Sequence, residues 1–342
     1  MEIKQITTHN AAERDSGICL SAVRLPKLML AANVKGTLDL LAGIVASHDE
    51  VVRVDADGLE FAEPLPLCLL AAQLNRLSIQ GQSAIIERVR PEVASRLRKL
   101  NVLGEWLEEK ASARYRVNQM NTLQVCWASN LSDADTIANT LADAIVRFVP
   151  GEYIAAEDSF TRDPIRTPLA YVITELLDNG LTHGRGKGFS HASVWIAAQW
   201  YEHGDLIRLA VVDNGCGFLR SLESHPAVNP KSHSMAVRKA FDPGVSCNKE
   251  VGLLSDALNM GIGLTISRDI AIRSRGTMWA GSGDAWINNP GHAGEKYARI
   301  PMWHGSMLNL ELHRAGLLSF HFRDLFAQYQ REASGAEIKF LF

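Results

Sequence analysis

Apolar positions along the first hundred residues follow two alternating periods. Short runs rich in branched residues, KLMLAA at 27–32, VVRVDA at 51–56 and SAIIER at 83–88, read as strands. Apolar residues at helical spacing between and after them predict helices over 36–47, 65–78 and 91–101. Such alternation predicts an α/β domain. From about 103 to 131 the text turns polar and irregular, and a helix is expected over 133–149, so a boundary near 115–120 divides the chain. After Pro168, Leu169, Val172, Ile173, Leu176 and Leu177 recur with the helical period. A hairpin follows, ASVWIAAQWYEHG and DLIRLAVVDNGCGF, with Val194, Ile196, Ala198 and Trp200 on one face and His203-Gly204-Asp205 as its turn. A further helix is expected over Leu264 to Ile272, then TMWAGSG, EKYARIPMW and SMLNLEL as the closing strands of an antiparallel sheet, and one helix with a short tail over 316–342.

Composition narrows the class. The 342 residues are 46% hydrophobic and 21% charged, which suits a globular chain with room for two domains. Thirty-five basic residues against 38 acidic ones, spread evenly along the chain, form no arm or stripe for nucleic-acid phosphates. No apolar run approaches the roughly 18–20 residues of a membrane span, and the acidic start MEIKQITTHNAAERDSG shows no secretory signal. Five scattered cysteines without a C-x-x-C pair are expected to be reduced thiols in a cytoplasmic protein.

Three short motifs carry chemistry. Glu175 and Asn179 are four apart and share a helix face, where a carboxylate beside a carboxamide can hold a water and a hydrated Mg²⁺; such a pair is also common on solvated faces. Asp213 ends a buried strand before Gly215 and Gly217. A carboxylate there can accept from an exocyclic amine while the glycines admit a flat ring, and D-x-G-x-G is equally an ordinary strand-end turn. Gly261 and Gly263 open a helix whose exposed N–H groups suit phosphates.

The order of these parts resembles the Bergerat-fold ATPases. These form the GHKL group of gyrase-type topoisomerases, heat-shock chaperone ATPases, MutL-type repair proteins, histidine kinases and anti-sigma-factor serine kinases. The likeness covers about 120–315 and implies an α/β sandwich with a mixed, mainly antiparallel sheet and helices on one face. It implies that Asn179 coordinates Mg²⁺ on the phosphates of ATP and that Glu175 is the general base. Asp213 would read the adenine amino group, Gly215 and Gly217 would shape the base pocket, and Gly261 and Gly263 would offer N–H groups to phosphates. Ser306 stands where many members have Thr. Residues 218–260 would form an ATP lid, with one of Lys231, Arg238, Lys239 and Lys249 meeting a phosphate.

Upstream, VVRVDADGLEFAEPLPLCLLAAQL resembles the STAS fold of anti-sigma-factor antagonists, with Glu63 and Pro64 where an acid and a phosphorylatable hydroxyl are expected. The resemblance implies a STAS-like α/β domain over 1–115 that binds a partner or dimerises, with its phospho-switch absent. The overall class is thus α/β (α+β), a STAS-like domain followed by a Bergerat domain. DPIRTPLAY at 163–171 mimics the phrase after a phosphoacceptor histidine, but Asp163 replaces that histidine, and neither His9 nor His48 lies in a helical hairpin. A self-phosphorylating histidine kinase therefore lacks its substrate within this chain, and no GxxxxGK[ST] loop occurs. Three readings stay open: a regulatory ATP-binding protein or kinase acting on a protein partner, a plain ATPase cycling through lid closure as a homodimer, and a non-enzymatic interaction protein that keeps ATP or ADP as a ligand.

Overall fold

The computed structural model describes residues 22–47, 49–99, 126–128, 131–147, 163–201, 204–245, 262–319 and 321–333. The N-terminal part begins with β1 (Val23–Arg24) and β2 (Leu28–Met29), a single 3₁₀ turn and α1 (Val34–Val45). It continues with β3 (Val51–Asp55), β4 (Phe61–Ala62), α2 (Pro64–Ile79), β5 (Ser83–Glu87) and α3 (Pro91–Lys99). Strands β1, β3 and β5 form a parallel sheet in that order, and β2 pairs with β4. The strand expected at 27–32 is thus only two residues long, and the helix after it starts earlier than the apolar period suggested. Asn33 explains both: its side chain accepts from the Gly36 N–H at 3.3 Å and caps α1.

Helix α2 opens with Pro64, where a missing N–H is no loss. Every residue from Pro64 to Leu74 is buried. A helix that is apolar all round needs cover on both sides, and α2 has it, packing on β5 within its own unit and on strands of the second part.

That second part comprises β6 (Cys126–Ala128), α4 (Leu131–Arg147), α5 (Asp163–Asp178), β7 (Val194–Tyr201), β8 (Leu206–Asp213), α6 (Gly217–Ser221) and α7 (His233–Lys239). Then follow α8 (Gly263–Arg273), β9 (Thr277–Asn288), β10 (Lys296–His313), α9 (Arg314–Leu317) and α10 (Phe322–Ala333). The five-stranded sheet runs β6-β7-β8-β10-β9 with every neighbouring pair antiparallel. EKYARIPMW and SMLNLEL, expected as two strands, are one: β10 runs through both, and the irregularity that separates them in sequence is a pair of register shifts around Trp303. The C-terminal stretch, expected as one helix, begins with the extra short α9. Helix α5 starts at Asp163 and holds Pro168 inside, so DPIRTPLAY is simply the first turns of the E-x-x-x-N helix.

The sheet is apolar on both faces. Val194, Ile196, Leu209, Val211 and Leu308 pack into the core built with α4, α5 and α8, and Trp200 borders it as the alternation predicted. On the other face Trp195, Ala210, Val212, Trp303 and Met307 share a second core with α1 and α2. The molecule is therefore a layered mixed α/β fold in which the sandwich's own helices take one face and the N-terminal helices the other. VWIAA and LAVV already carry this signal, because unbroken apolar strands are the mark of a sheet covered twice. At the edge of this second interface Arg208 pairs with Glu63 and, at 2.8 Å, with Glu311, while the second oxygen of Glu63 accepts from the Ala31 N–H at 2.8 Å. Glu63, the residue at the acid step of the STAS-like phrase, is thus 6% exposed and committed to joining the two parts.

Candidate functional site

Glu175 lies on the last turn of α5, and Asn179 begins a five-residue π turn, Asn179–His183, that continues the helix. The wider turn is a feature often found where helices carry function. Burial pushes the Glu175 carboxyl up to about 7; a hydrogen bond with Tyr171 opposes this, and the nearby Asp178 charge adds to it. Burial also pushes the Tyr171 phenol up, so it remains a donor at neutral pH. The start of α8 rests directly against this acid: a Cβ added at Gly263 would lie 2.7 Å from Glu175 Oε2. Gly263 is needed here for close approach.

Asp213 ends the central strand β8 and is 4% exposed. One carboxylate oxygen accepts from the Gly215 N–H at 2.8 Å; the other accepts from the Ser306 N–H at 3.1 Å and from the Ser306 hydroxyl. Burial pushes its carboxyl up to about 6 against the pull of those three bonds, leaving it mostly ionised at pH 7. An ionised carboxylate offers about four acceptor positions, so one remains after three are filled. The strand end is tightly built. A Cβ at Gly215 would strike the Gly184 backbone, and one at Gly305 the Asp213 carbonyl. Gly217 combines φ +71° with a Cβ position only 2.6 Å from the His304 carbonyl; neither that conformation nor that space admits a side chain.

These residues line one cleft of about 900 Å³, its open mouth included. Glu175, Asn179, Asp213, Gly217, Gly263 and Ser306 all border it, and Val211, Phe218, Leu222, Val245 and Leu308 supply apolar walls. Gly215 stands behind it and acts through its N–H on Asp213. Gly261 lies outside the described residues, as does the lid beyond 245. The earlier half of the lid is folded: α7 packs on β9, Arg238 pairs with Glu295, and Lys239 Nζ lies 2.7 Å from Asp242. Among the described residues neither of these two cations nor Lys231 borders the cleft, and Lys249 lies in the undescribed stretch.

Several lining residues were not singled out from the motifs. His183, one turn after Asn179, borders the cleft, and burial holds its imidazole below its ordinary value, so it is neutral at pH 7. Gly180 and Gly184 line it too, and each is fixed by a clash a Cβ would make, with Val194 and with the Gly180 carbonyl respectively. The four-residue spacing of Asn179 and His183 was the available signal for His183; the glycines gave none, since their need arises only from chain crossings.

A sheet of this order with α5 and α8 on one face, an acid at the end of its central strand and a glycine-started helix facing a second acid defines a GHKL-type α/β sandwich. Residues 165–300 match the family described as histidine kinase-, DNA gyrase B-, and HSP90-like ATPase, which supports a GHKL-type ATP-binding domain in this segment. The match takes in Glu175, Asn179, Asp213 and the glycines, while Ser306 lies just past its end. No curated protein matches the chain.

Proposed function

We propose that this protein binds Mg-ATP in the cleft between Asp213 and Glu175 and uses it to act on a protein partner, by phosphoryl transfer or by ATP-gated binding, in a bacterial-type signalling system of the cytoplasm. The single observation that carries this reading is the carboxylate of Asp213, buried, held by three donors and left with one acceptor position at the cleft. An acceptor-only group suits an exocyclic amine such as that of adenine and repels a ring carbonyl placed against it. The apolar walls beside it suit a flat base, and the volume falls in the range of small-molecule sites.

The chemistry of the donors also fits magnesium. Asn179, which borders the cleft, could give one carbonyl ligand to a Mg²⁺ ion that keeps water and phosphate oxygens as its other ligands. When bound, the ion would neutralise charge developing on the phosphates. Glu175, with its carboxyl near neutral pH, is suited to take a proton from the attacking water or hydroxyl.

The N-terminal unit, in this reading, is a STAS-like module that has become a scaffold and mediates assembly. Its Glu63-Pro64 step carries no hydroxyl and is buried, so that step would not itself accept phosphate. Among the described residues no helix is long and apolar enough to cross a membrane. Calorimetric titration with Mg-ATP and Mg-ADP on wild type and Asp213→Asn tests the site, and labelled ATP with cell extract tests the transfer. No heat with either nucleotide refutes the site; binding without label transfer or ATP-dependent partner capture refutes the regulatory role. The readiness of Glu175 to act as a base favours one second reading, a plain ATPase cycling as a homodimer, which steady turnover without a partner would support.

A further inference from the structure

The stretch of β10 just before its ladder with β8 holds Asp213 at more than its carboxylate. The indole N–H of Trp303 donates to the main-chain carbonyl of Asp213 at 3.1 Å. The ladder between β8 and β10 ends at Met307 and Val212, so β10 reaches this carbonyl with a side chain instead of its backbone. It can do so because register with β9 shifts on both sides of Trp303, between Arg299 and Trp303 and again before Ser306. Bulges of this kind re-aim side chains. Three positions of one strand therefore fix one residue: Trp303 takes the carbonyl, Gly305 allows the close crossing, and Ser306 takes the carboxylate.

The two ends of this device lie on different faces. Asp213 lines the cleft, whereas Trp303, 6% exposed, belongs to the core shared with α1 and α2. We infer that Trp303 is a positioning residue for the nucleotide-reading carboxylate, and that through it the seating of the N-terminal unit on the sheet is coupled to nucleotide affinity. This inference rests on the proposed nucleotide site. Coupling of this sort is reciprocal, so nucleotide must also favour seating of the unit.

Trp303→Phe keeps most of the ring and removes the donor. Mg-ATP should bind about three- to tenfold more weakly, the range expected for one neutral hydrogen bond. Trp279→Phe is the control: Trp279 packs against the same core, stacked 5.5 Å from Trp286, and makes no hydrogen bond to Asp213; its affinity should match wild type. Glu63→Gln, which weakens the pairing with Arg208 across the interface, should lower affinity in the wild-type background and do nothing further in Trp303→Phe, since two changes that act through one coupled route are not additive. Unchanged affinity in Trp303→Phe, or an equal effect of Glu63→Gln in both backgrounds, overturns the inference. Should Trp303→Phe fail to fold, hydrogen exchange on the wild-type chain decides: Mg-ATP must slow exchange in 34–79 as well as around the cleft, and unchanged exchange there overturns it. A wild-type chain without affinity for Mg-ATP refutes the site itself, a result distinct from these.

Discussion

Asp213→Asn should make the ligand-free protein more stable while spoiling its site. The carboxyl of Asp213 moves from 3.8 to about 6 on folding because burial disfavours its charge. For an acid with a raised folded value, the folded state binds the extra proton between the two values, so stability falls as pH rises from about 4 to about 6 and stays lower above. A shift of some two units corresponds to about 3 kcal/mol at pH 7. Asparagine has nearly the same shape and no charge to bury. It can still accept from Ser306 with its carbonyl, but its amide then faces the Gly215 N–H donor to donor, a conflict of about 1 kcal/mol. The net expectation is about 2 kcal/mol of added stability, a rise in Tm of several degrees for a chain of this size. Mg-ATP affinity should fall roughly tenfold to a hundredfold, the worth of a hydrogen bond to a charged group. Differential scanning calorimetry of both proteins from pH 4 to 8, freed of nucleotide, measures the first effect and titration the second. The reasoning is refuted by a variant that melts below wild type at pH 7, or by a stability gap between the two that does not widen from pH 4 to 6.

Four further outcomes are expected. Glu175→Ala should abolish ATP turnover while leaving Mg-ATP affinity within a few fold, and wild-type turnover should rise with pH through about 7, where Glu175 loses its proton; a flat pH–rate profile counts against Glu175 as base. Tyr171→Phe removes the hydrogen bond that opposes the upward shift of Glu175, so the rise should move to higher pH with affinity unaltered in a binding titration. Gly263→Ala places a methyl 2.7 Å from Glu175 Oε2 and should cut kcat by at least tenfold by displacing that acid, an effect steady-state kinetics would read. Gly43→Ala is the opposite case: the position is interior to α1 with open space around a new Cβ, and urea unfolding should show about 0.5–1 kcal/mol of added stability.

Local pattern determined much of this protein. The period of Leu169 to Leu177 gave α5 its buried stripe, the alternation from Val194 to Trp200 gave one face of β7, and the helix-opening position of Gly263 held. These features depend on residues within a few positions of one another, so the chain text carries them. The order of the motifs along the chain carried the resemblance that implied the class of domain. Tertiary structure alone decided what lies far apart in sequence: Ser306 donating to Asp213, Gly263 making room for Glu175, Trp303 reaching the same strand end from the far side, and Glu63 joined to Arg208 across 145 positions. A one-dimensional period records which side of an element is apolar but not what will cover it. Whether a buried acid is satisfied, and how closely two backbone segments cross, is settled only when both segments are brought to the same place.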